Sequence, residues 1–155
     1  MNEFLNNLLP KRAENEYKGY KFAEIVFLGI IIITIIRSLL HILLPDGGAQ
    51  SIATINLNVE GNAVIISIFA LWGLAQLIMG IFYVIIYIRY KNLIPLMYVF
   101  IFVEYLMRVI IGNLKPFETI GTAPGAIGNL VIVPLSLILL YFSLKKPSNI
   151  KRSGN

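Results

Sequence analysis

The apolar residues of the chain fall into four long runs that are separated by more polar segments. Each run holds about 20 residues, the length that an α-helix needs to cross the hydrocarbon core of a bilayer. Strands of a membrane barrel are about half as long and alternate in polarity, and the runs show neither feature. The pattern therefore predicts an all-α integral membrane protein, an up-and-down bundle of four transmembrane helices. The predicted spans are residues 22–44, 63–88, 93–111 and 127–144.

Ionisable residues interrupt two of these runs, and their spacing places them on single helical faces. The stripe on the first span consists of Thr34, Arg37, Ser38 and His41. The stripe on the third span consists of Ile101, Glu104, Arg108 and Gly112. Arg37 and Arg108 each stand about fifteen residues from the start of their spans, so at about 1.5 Å per residue they reach the same depth. Because charged side chains in hydrocarbon turn toward the bundle interior, we expect the stripes to meet. Glu104 then lies between the two arginines, with His41 beside them.

The second and fourth spans contribute fewer polar residues. Gln76 is predicted near mid-depth on the second span, and Asn129 at the start of the fourth. The complete predicted polar cluster, or ligand-binding site, is Arg37, His41, Gln76, Glu104, Arg108 and Asn129. Trp72 is also deep, and because a buried indole usually needs a polar partner it is predicted to face other helices. A strip of small residues on the second span predicts close helix packing, and it consists of Ala70, Gly73 and Gly80.

Composition supports a membrane location, and charge predicts an orientation. The 155 residues are 57% hydrophobic and 14% charged, whereas soluble domains average about a quarter charged residues. The net charge of +5 comes from basic residues in the N-terminal segment, between spans two and three, and in the C-terminal tail. Because cytoplasmic loops retain Lys and Arg, both termini are predicted to be cytoplasmic. These residues lie at helix ends without interleaved aromatic residues, so no nucleic-acid partner is expected.

The whole chain, residues 1–155, is expected to form one transmembrane domain with two flanking segments. Residues 145–155 are predicted to be a basic cytoplasmic tail. Residues 1–21 are predicted to be cytoplasmic, and they begin with apolar residues on one face of a short helix. That helix either lies in the head-group layer or is a frayed end. On the opposite side, two long connections are expected to cap the polar cluster.

The polar cluster leaves four interpretations open. Glu104 and Arg108 have the favourable order for a structural ion pair on a helix. Two arginines and a histidine outnumber one carboxylate, which favours a site for a lipid-like or anionic molecule. Glu104 near the midplane also suits a small proton-linked transporter or pore, and Glu104 with His41 suits an acid–base enzyme. The chain has no cysteine and one histidine, so no catalytic residue, metal or cofactor is predicted.

Of these interpretations we favour a non-enzymatic binding or accessory protein. Its expected partners are membrane lipid and a lipid-like or anionic ligand. A second copy of the chain or another membrane protein is a further candidate partner, and the sequence does not place it on a particular face.

Two stretches of the sequence resemble a known group of proteins. They are FALWGLAQLIMG in the second span and LIPLMYVFIFVEYLMRVIIG in the third. Both are similar to the small four-helix bacterial membrane proteins of the DoxX-like group and their relatives. In that group a second helix that contains glycine precedes a third helix that ends in an arginine followed by glycine. The resemblance implies a four-helix fold in a bacterial cytoplasmic (inner) membrane, and it implies no particular reaction.

Overall fold

The computed structural model describes residues 3–147 of the chain. Within that range the helices are α1 (Glu3–Leu8), α2 (Lys21–Leu43), α3 (Asn62–Arg89), α4 (Ile94–Leu114) and α5 (Pro124–Leu144). A 3₁₀ turn, Lys91–Leu93, leads directly into α4. Among the described residues, α2, α3, α4 with its 3₁₀ turn, and α5 are long and apolar enough to cross a membrane. The predicted all-α fold with four such helices is confirmed.

The observed helix ends differ most from the predicted spans in the segment between α4 and α5. There α4 continues to Leu114 rather than to residue 111, and in its last turn the side-chain amide of Asn113 donates to the carbonyl of Val109 at 2.7 Å. Helix α5 starts at Pro124 rather than at residue 127. A proline is well suited to the first position of a helix, where its missing N–H costs no intrahelical hydrogen bond.

The bundle has two distinct ends. The terminal end comprises the start of α2, the connection between α3 and α4, and the end of α5. Across it the backbone N–H of Tyr20 donates to the carbonyl of Phe142 at 3.1 Å. The loop end comprises residues 44–61 and 115–123, and these two loops meet where Ile55 and Thr119 form an antiparallel bridge. The chain segments that precede α2 and follow α5 therefore lie at the same end.

Helices α2 and α3 form one closely packed pair, and α4 and α5 form another. The first pair depends on two glycines of α3 that face α2. A Cβ atom at Gly73 would lie 2.7 Å from the Cβ of His41, and one at Gly80 would lie 3.1 Å from Cγ1 of Ile35. Ala70, the third residue of the small-residue strip, is half-buried. Helix α2 therefore packs against the strip at least from Gly73 to Gly80.

The two pairs are packed together most densely toward the terminal end. The ring centre of Phe27 lies 5.6 Å from that of Tyr83 and 5.8 Å from that of Tyr98. The hydroxyl of Tyr98 donates to the carbonyl of Ala23 at 2.5 Å. Toward the loop end, the described residues 106–114 and 124–135 of α4 and α5 include no fully buried side chain. The packing of α4 and α5 therefore becomes looser toward the loop end, whereas Ser38 and His41 of α2 stay buried there.

The segment between α1 and α2 folds across the terminal end. The side chain of Asn92 accepts the backbone N–H of Glu14 at 2.9 Å and donates to the carbonyl of Arg12 at 2.7 Å. The hydroxyl of Tyr17 donates to Oγ of Ser143 at 3.1 Å, and burial raises the pKa of Tyr17. These contacts tie the segment to both helix pairs, so this part of the N-terminal region is docked rather than frayed.

The flanking segments are described in part. Helix α1 is present, with Phe4 and Leu5 exposed and Leu9 exposed just after it, and its position in a head-group layer stays a prediction. Residues 148–155, which hold Lys151 and Arg152 of the predicted basic tail, lie outside the described residues.

Candidate functional site

Helices α2, α3 and α4 bring charged and aromatic side chains together in the half of the bundle nearer the loop end. Nη2 of Arg37 donates to Oε1 of Gln76 at 2.8 Å. On α4, Nη2 of Arg108 forms an ion pair with Oε1 of Glu104, one turn earlier. The indole of Trp72 contacts both arginines, with guanidinium carbons 5.8 Å (Arg37) and 5.0 Å (Arg108) from the ring centre. We name these five residues the arginine cluster.

Three residues of the arginine cluster line a cavity of about 20 Å³. Arg37, Gln76 and Glu104 supply its charged and amide groups. The remaining lining residues are Ile30, Thr34, Met79, Tyr83, Ile101 and Tyr105. A space of this size holds about one water molecule. Any larger group requires a side chain of the wall to move.

Two hydrogen-bond donors in this lining are unsatisfied. Nε of Arg37 and Nε2 of Gln76 are buried and have no hydrogen-bond partner among residues 3–147. Gln76 is only 6% exposed, and leaving a buried donor unpaired costs about 1–3 kcal/mol. Within the same described range, Arg37 forms no ion pair with a carboxylate. The cluster therefore holds two guanidinium charges against one carboxylate, an arrangement that favours binding of an anion.

One wall of the cavity reaches the surface of the bundle. The side chain of Glu104 is 40% exposed and that of Arg108 is 17% exposed, while Met79 is 43% exposed. Helices α3 and α4 contact each other much less than α2 and α3 do. Met79 of α3 and Glu104 of α4 therefore both line the cavity and reach the surface of the bundle.

His41 lies beside the arginine cluster, and its imidazole is hydrogen-bonded to the backbone of the loop that follows α2. Its Nδ1 lies 2.8 Å from the carbonyl oxygen of Gly47, and because a carbonyl only accepts hydrogen bonds, Nδ1 must carry a proton. The imidazole also packs against Phe69 and Trp72, with ring centres 5.8 Å and 5.0 Å away. In the described part of the chain no hydrogen bond joins His41 to Glu104, and the acid–base pair considered from the sequence stays a prediction.

The structure does not bring Asn129 into the arginine cluster. Asn129 is half-buried in the second turn of α5, and it is not part of the cavity lining. Helix α5 packs mainly against α4, and its loop-end half has no fully buried described residue. An asparagine at this depth of α5 is therefore positioned away from the α2–α3 pair.

The loop that follows α2 closes over His41. The carboxylate of Asp46 accepts the backbone N–H groups of Gly48, Gln50 and Ser51 at 2.9, 3.1 and 2.7 Å. Burial raises the pKa of Asp46, but these hydrogen bonds outweigh it and bring the pKa down to about 2. Gly48 has a φ of 73°, and a Cβ there would lie 2.9 Å from Nδ1 of His41. The loop can therefore seal this side of the bundle only with glycine at position 48.

A second ionic group lies at the terminal end, and the sequence analysis did not anticipate it. Nζ of Lys21 lies 2.7 Å from Oε2 of Glu24, and Nζ of Lys91 lies 2.8 Å from Oε1. The second contact is an ion pair without hydrogen-bond geometry. We name these three residues the Glu24 cluster. The sequence signal for this cluster was Glu24 itself, an acidic residue three positions after Lys21 in the first turn of a span.

Comparison of the chain with known protein families, with curated proteins and with solved structures found no match. The resemblance to the DoxX-like group therefore stays a prediction. Function has to be argued from the chemistry of the site itself.

Proposed function

We propose that this chain is a non-enzymatic membrane binding protein whose ligand places an anionic group, a carboxylate or a phosphate, against Arg37. A single observation carries the proposal. Arg37 lies inside a bundle of apolar helices, is hydrogen-bonded to a neutral amide, and keeps Nε unpaired among the described residues. A charged side chain at such a depth ordinarily has a counter-charge or a wet cavity.

The electrostatics of the arginine cluster support an anion rather than a cation or a neutral ligand. Glu104 is already paired with Arg108, which leaves the charge of Arg37 uncompensated. An oxyanion can accept hydrogen bonds from Nε of Arg37 and from Nε2 of Gln76 at once. Such charge-assisted hydrogen bonds are about twice as strong as neutral ones. Binding therefore relieves two unsatisfied donors and the net positive charge together.

The surroundings of the cavity favour an amphipathic ligand. Access to the arginine cluster runs between α3 and α4, and the exposed side chains there are mostly apolar. A molecule that approaches from the bilayer can keep its hydrocarbon tail against these helices while its head group displaces the side chains of Glu104 and Met79. A head group larger than a water molecule requires such a movement, because the cavity measures about 20 Å³.

We further propose that the bundle lies in a bacterial cytoplasmic membrane with both termini in the cytoplasm. The support is the distribution of basic residues, which are concentrated in the segments at the terminal end. Cytoplasmic flanks of membrane proteins carry such an excess of Lys and Arg. In this orientation the arginine cluster lies in the outer half of the bilayer.

Trp72 allows a direct test, because it is the only tryptophan of the chain and it contacts Arg37. The purified protein in a neutral maltoside detergent is titrated with 2-bromohexadecanoate, whose bromine quenches indole fluorescence from a position next to the carboxylate. Its methyl ester has the same tail without the charge. We expect the acid to reach half-maximal quenching at a concentration at least about tenfold lower, since hydrogen bonds to charged groups contribute about 1.5–3 kcal/mol.

Two variants give the matched control. Arg37→Gln removes the proposed contact and is expected to abolish the difference between acid and ester. Arg89→Gln removes an exposed arginine at the terminal end of α3 and is expected to leave that difference unchanged. Equal quenching by acid and ester in the unmodified protein, or an acid preference that survives Arg37→Gln, contradicts the proposal and indicates that the cavity holds water alone.

Proton-linked transport through Glu104 is the second candidate function, and one observation favours it. The carboxylate side chain lines the internal cavity and is also 40% exposed at the surface of the bundle, so one group reaches two environments. The expected result is a proton flux into proteoliposomes that Glu104→Gln abolishes. A flux that Glu104→Gln leaves intact excludes this candidate, and the absence of any flux in the unmodified protein does the same.

A further inference from the structure

A second, larger recess lies at the terminal end, away from the arginine cluster. It is a groove of about 500 Å³ between α1 and the last turns of α5. One side is formed by leucines on a single face of α5, Leu137, Leu140 and Leu144, and Phe4 of α1 stands on the other side. An apolar groove of this kind accommodates a hydrocarbon chain.

Two lysines mark the end of the groove at which α5 stops. Lys145 and Lys146 are both part of its lining, and no acidic residue contributes to that lining in the described part of the chain. Nζ of Lys145 donates to the hydroxyl of Tyr141 at 3.2 Å and lies 5.4 Å from the centre of its ring. The groove therefore combines an apolar body with a positively charged mouth.

We propose that this groove binds one anionic phospholipid, with the phosphate at Lys145 and Lys146 and one acyl chain along the leucines of α5. The dimensions fit a single leaflet. From Lys145 to Leu137 the helix rises about 12 Å at 1.5 Å per residue, and half of the hydrocarbon core is about 15 Å. The lysines stand at the end of the span, where lipid phosphates lie.

The charge of the mouth favours an anionic over a zwitterionic lipid. Each lysine or arginine near a membrane surface strengthens the attraction to anionic lipid about fivefold. A water-soluble anion is a poorer match, because it would leave the leucine face uncovered. The site is independent of the proposed function at the arginine cluster, since the two lie at opposite halves of the bundle and share no residue.

Native mass spectrometry of the full-length protein tests the site, and every measurement is made in the Arg37→Gln background so that the arginine cluster does not contribute. The protein is released from detergent micelles that contain phosphatidylglycerol and phosphatidylcholine with identical acyl chains in equal amounts. We expect the retained lipid to be phosphatidylglycerol in at least about tenfold excess, from two lysines acting together. Lys145→Gln with Lys146→Gln is expected to remove this preference. A matched double variant, Lys11→Gln with Lys18→Gln, removes the same charge at the same end outside the groove and is expected to keep it.

A steric variant separates the groove from surface charge. Leu137 is 45% exposed, so Leu137→Trp obstructs the groove without disturbing the core, and it is expected to reduce retention of both lipids. A preference that persists in the Lys145/Lys146 variant overturns the proposal. So does an equal loss in the Lys11/Lys18 variant, which indicates a diffuse attraction. A dimer that binds no lipid and dissociates in Leu137→Trp assigns the groove to a second copy instead.

Discussion

The two ionic clusters of this bundle differ in how completely their charges are paired. At the terminal end, the Glu24 carboxylate is 3% exposed and has a lysine ammonium within 2.8 Å of each oxygen. In the arginine cluster, the Glu104 side chain is 40% exposed and pairs with one arginine. The other arginine, Arg37, is hydrogen-bonded to a neutral amide and keeps an unpaired nitrogen among the described residues.

The packing of α4 and α5 also differs between the terminal end and the loop end. Around the terminal end the aromatic rings of Phe27, Tyr83 and Tyr98 interlock, whereas the described loop-end halves of α4 and α5 contain no fully buried residue. Fully paired charges in a dense core are typical of groups that hold a fold together. Unpaired donors beside a small cavity are typical of sites where a ligand binds.

Glu24→Gln is expected to have the largest effect on stability. It leaves Lys91, which is 27% exposed, without its counter-charge between helices. Breaking a buried pair costs 3–5 kcal/mol, and the partial exposure of the lysines reduces this to about 2–3 kcal/mol. The measurement is the free energy of unfolding in mixed detergent micelles.

Glu104→Gln is the comparison for Glu24→Gln and removes the same charge from the other cluster. Glu104 pairs with one arginine of its own helix, whereas Glu24 holds lysines of two chain segments together, so the expected loss is smaller, about 1 kcal/mol or less. Equal losses in the two variants contradict the distinction between a structural and a ligand-binding cluster.

Gly73→Ala is expected to have the largest effect after Glu24→Gln. The expected loss in the free energy of unfolding is about 2 kcal/mol, in the range for overpacking. The new Cβ would lie 2.7 Å from Cβ of His41 and 3.0 Å from the carbonyl oxygen of Ser38, so α2 and α3 must separate. Gly112→Ala on α4 is the control, since a Cβ there meets nothing within 4 Å. It is expected to stabilise α4 by up to about 1 kcal/mol. Loss of stability in both variants contradicts tight packing that is specific to the α2–α3 pair.

Much of the fold was predictable because the apolar runs are long and clearly bounded. The four helices long enough to span a membrane follow directly from this pattern, and the depth argument placed Arg37 and Arg108 in the same region. Helix periodicity supplies only a face and a depth, so it could not identify partners. Arg37 is hydrogen-bonded to Gln76 and forms no ion pair with Glu104. Trp72 contacts both arginines.

Other features depended on tertiary contacts that no local pattern encodes. The docking of residues 9–20 requires Asn92, which is some 80 positions away from its partners in sequence. The Glu24 cluster similarly joins the first turn of α2 to the turn before α4. Asn129 shows the converse case, in which a polar residue at a suitable depth belongs to a helix that packs elsewhere.

Arg37→Met is expected to change the free energy of unfolding by less than about 1 kcal/mol in either direction. The substitution removes the charge together with the unpaired Nε, and replacing buried ionic groups by apolar ones of similar size is often neutral or stabilising. The same measurement as for Glu24→Gln applies. A loss above about 2 kcal/mol, comparable to that of Glu24→Gln, would assign Arg37 to the structural framework and remove the main support for a ligand site.

A further expected effect concerns the loop that closes over His41, and it depends on pH. The pKa of Asp46 is about 2 in the folded protein against an ordinary value of 3.8. A carboxyl group with a lowered pKa stabilises the fold fully above the ordinary value, and this contribution is lost as the pH falls toward 2. At pH 6, Asp46→Asn is therefore expected to lower the free energy of unfolding by about 1 kcal/mol, the usual cost of losing a side-chain cap. The variant then unfolds at a lower temperature. At pH 2 the free energies of unfolding of the variant and the unmodified protein are expected to converge.

Glu60→Gln changes an exposed residue further along the same loop and is the control. It is expected to be as stable as the unmodified protein at both pH values. A difference between the Asp46 variant and the unmodified protein that is the same at both pH values would mean that the loop is held by its glycine backbone and not by the carboxylate.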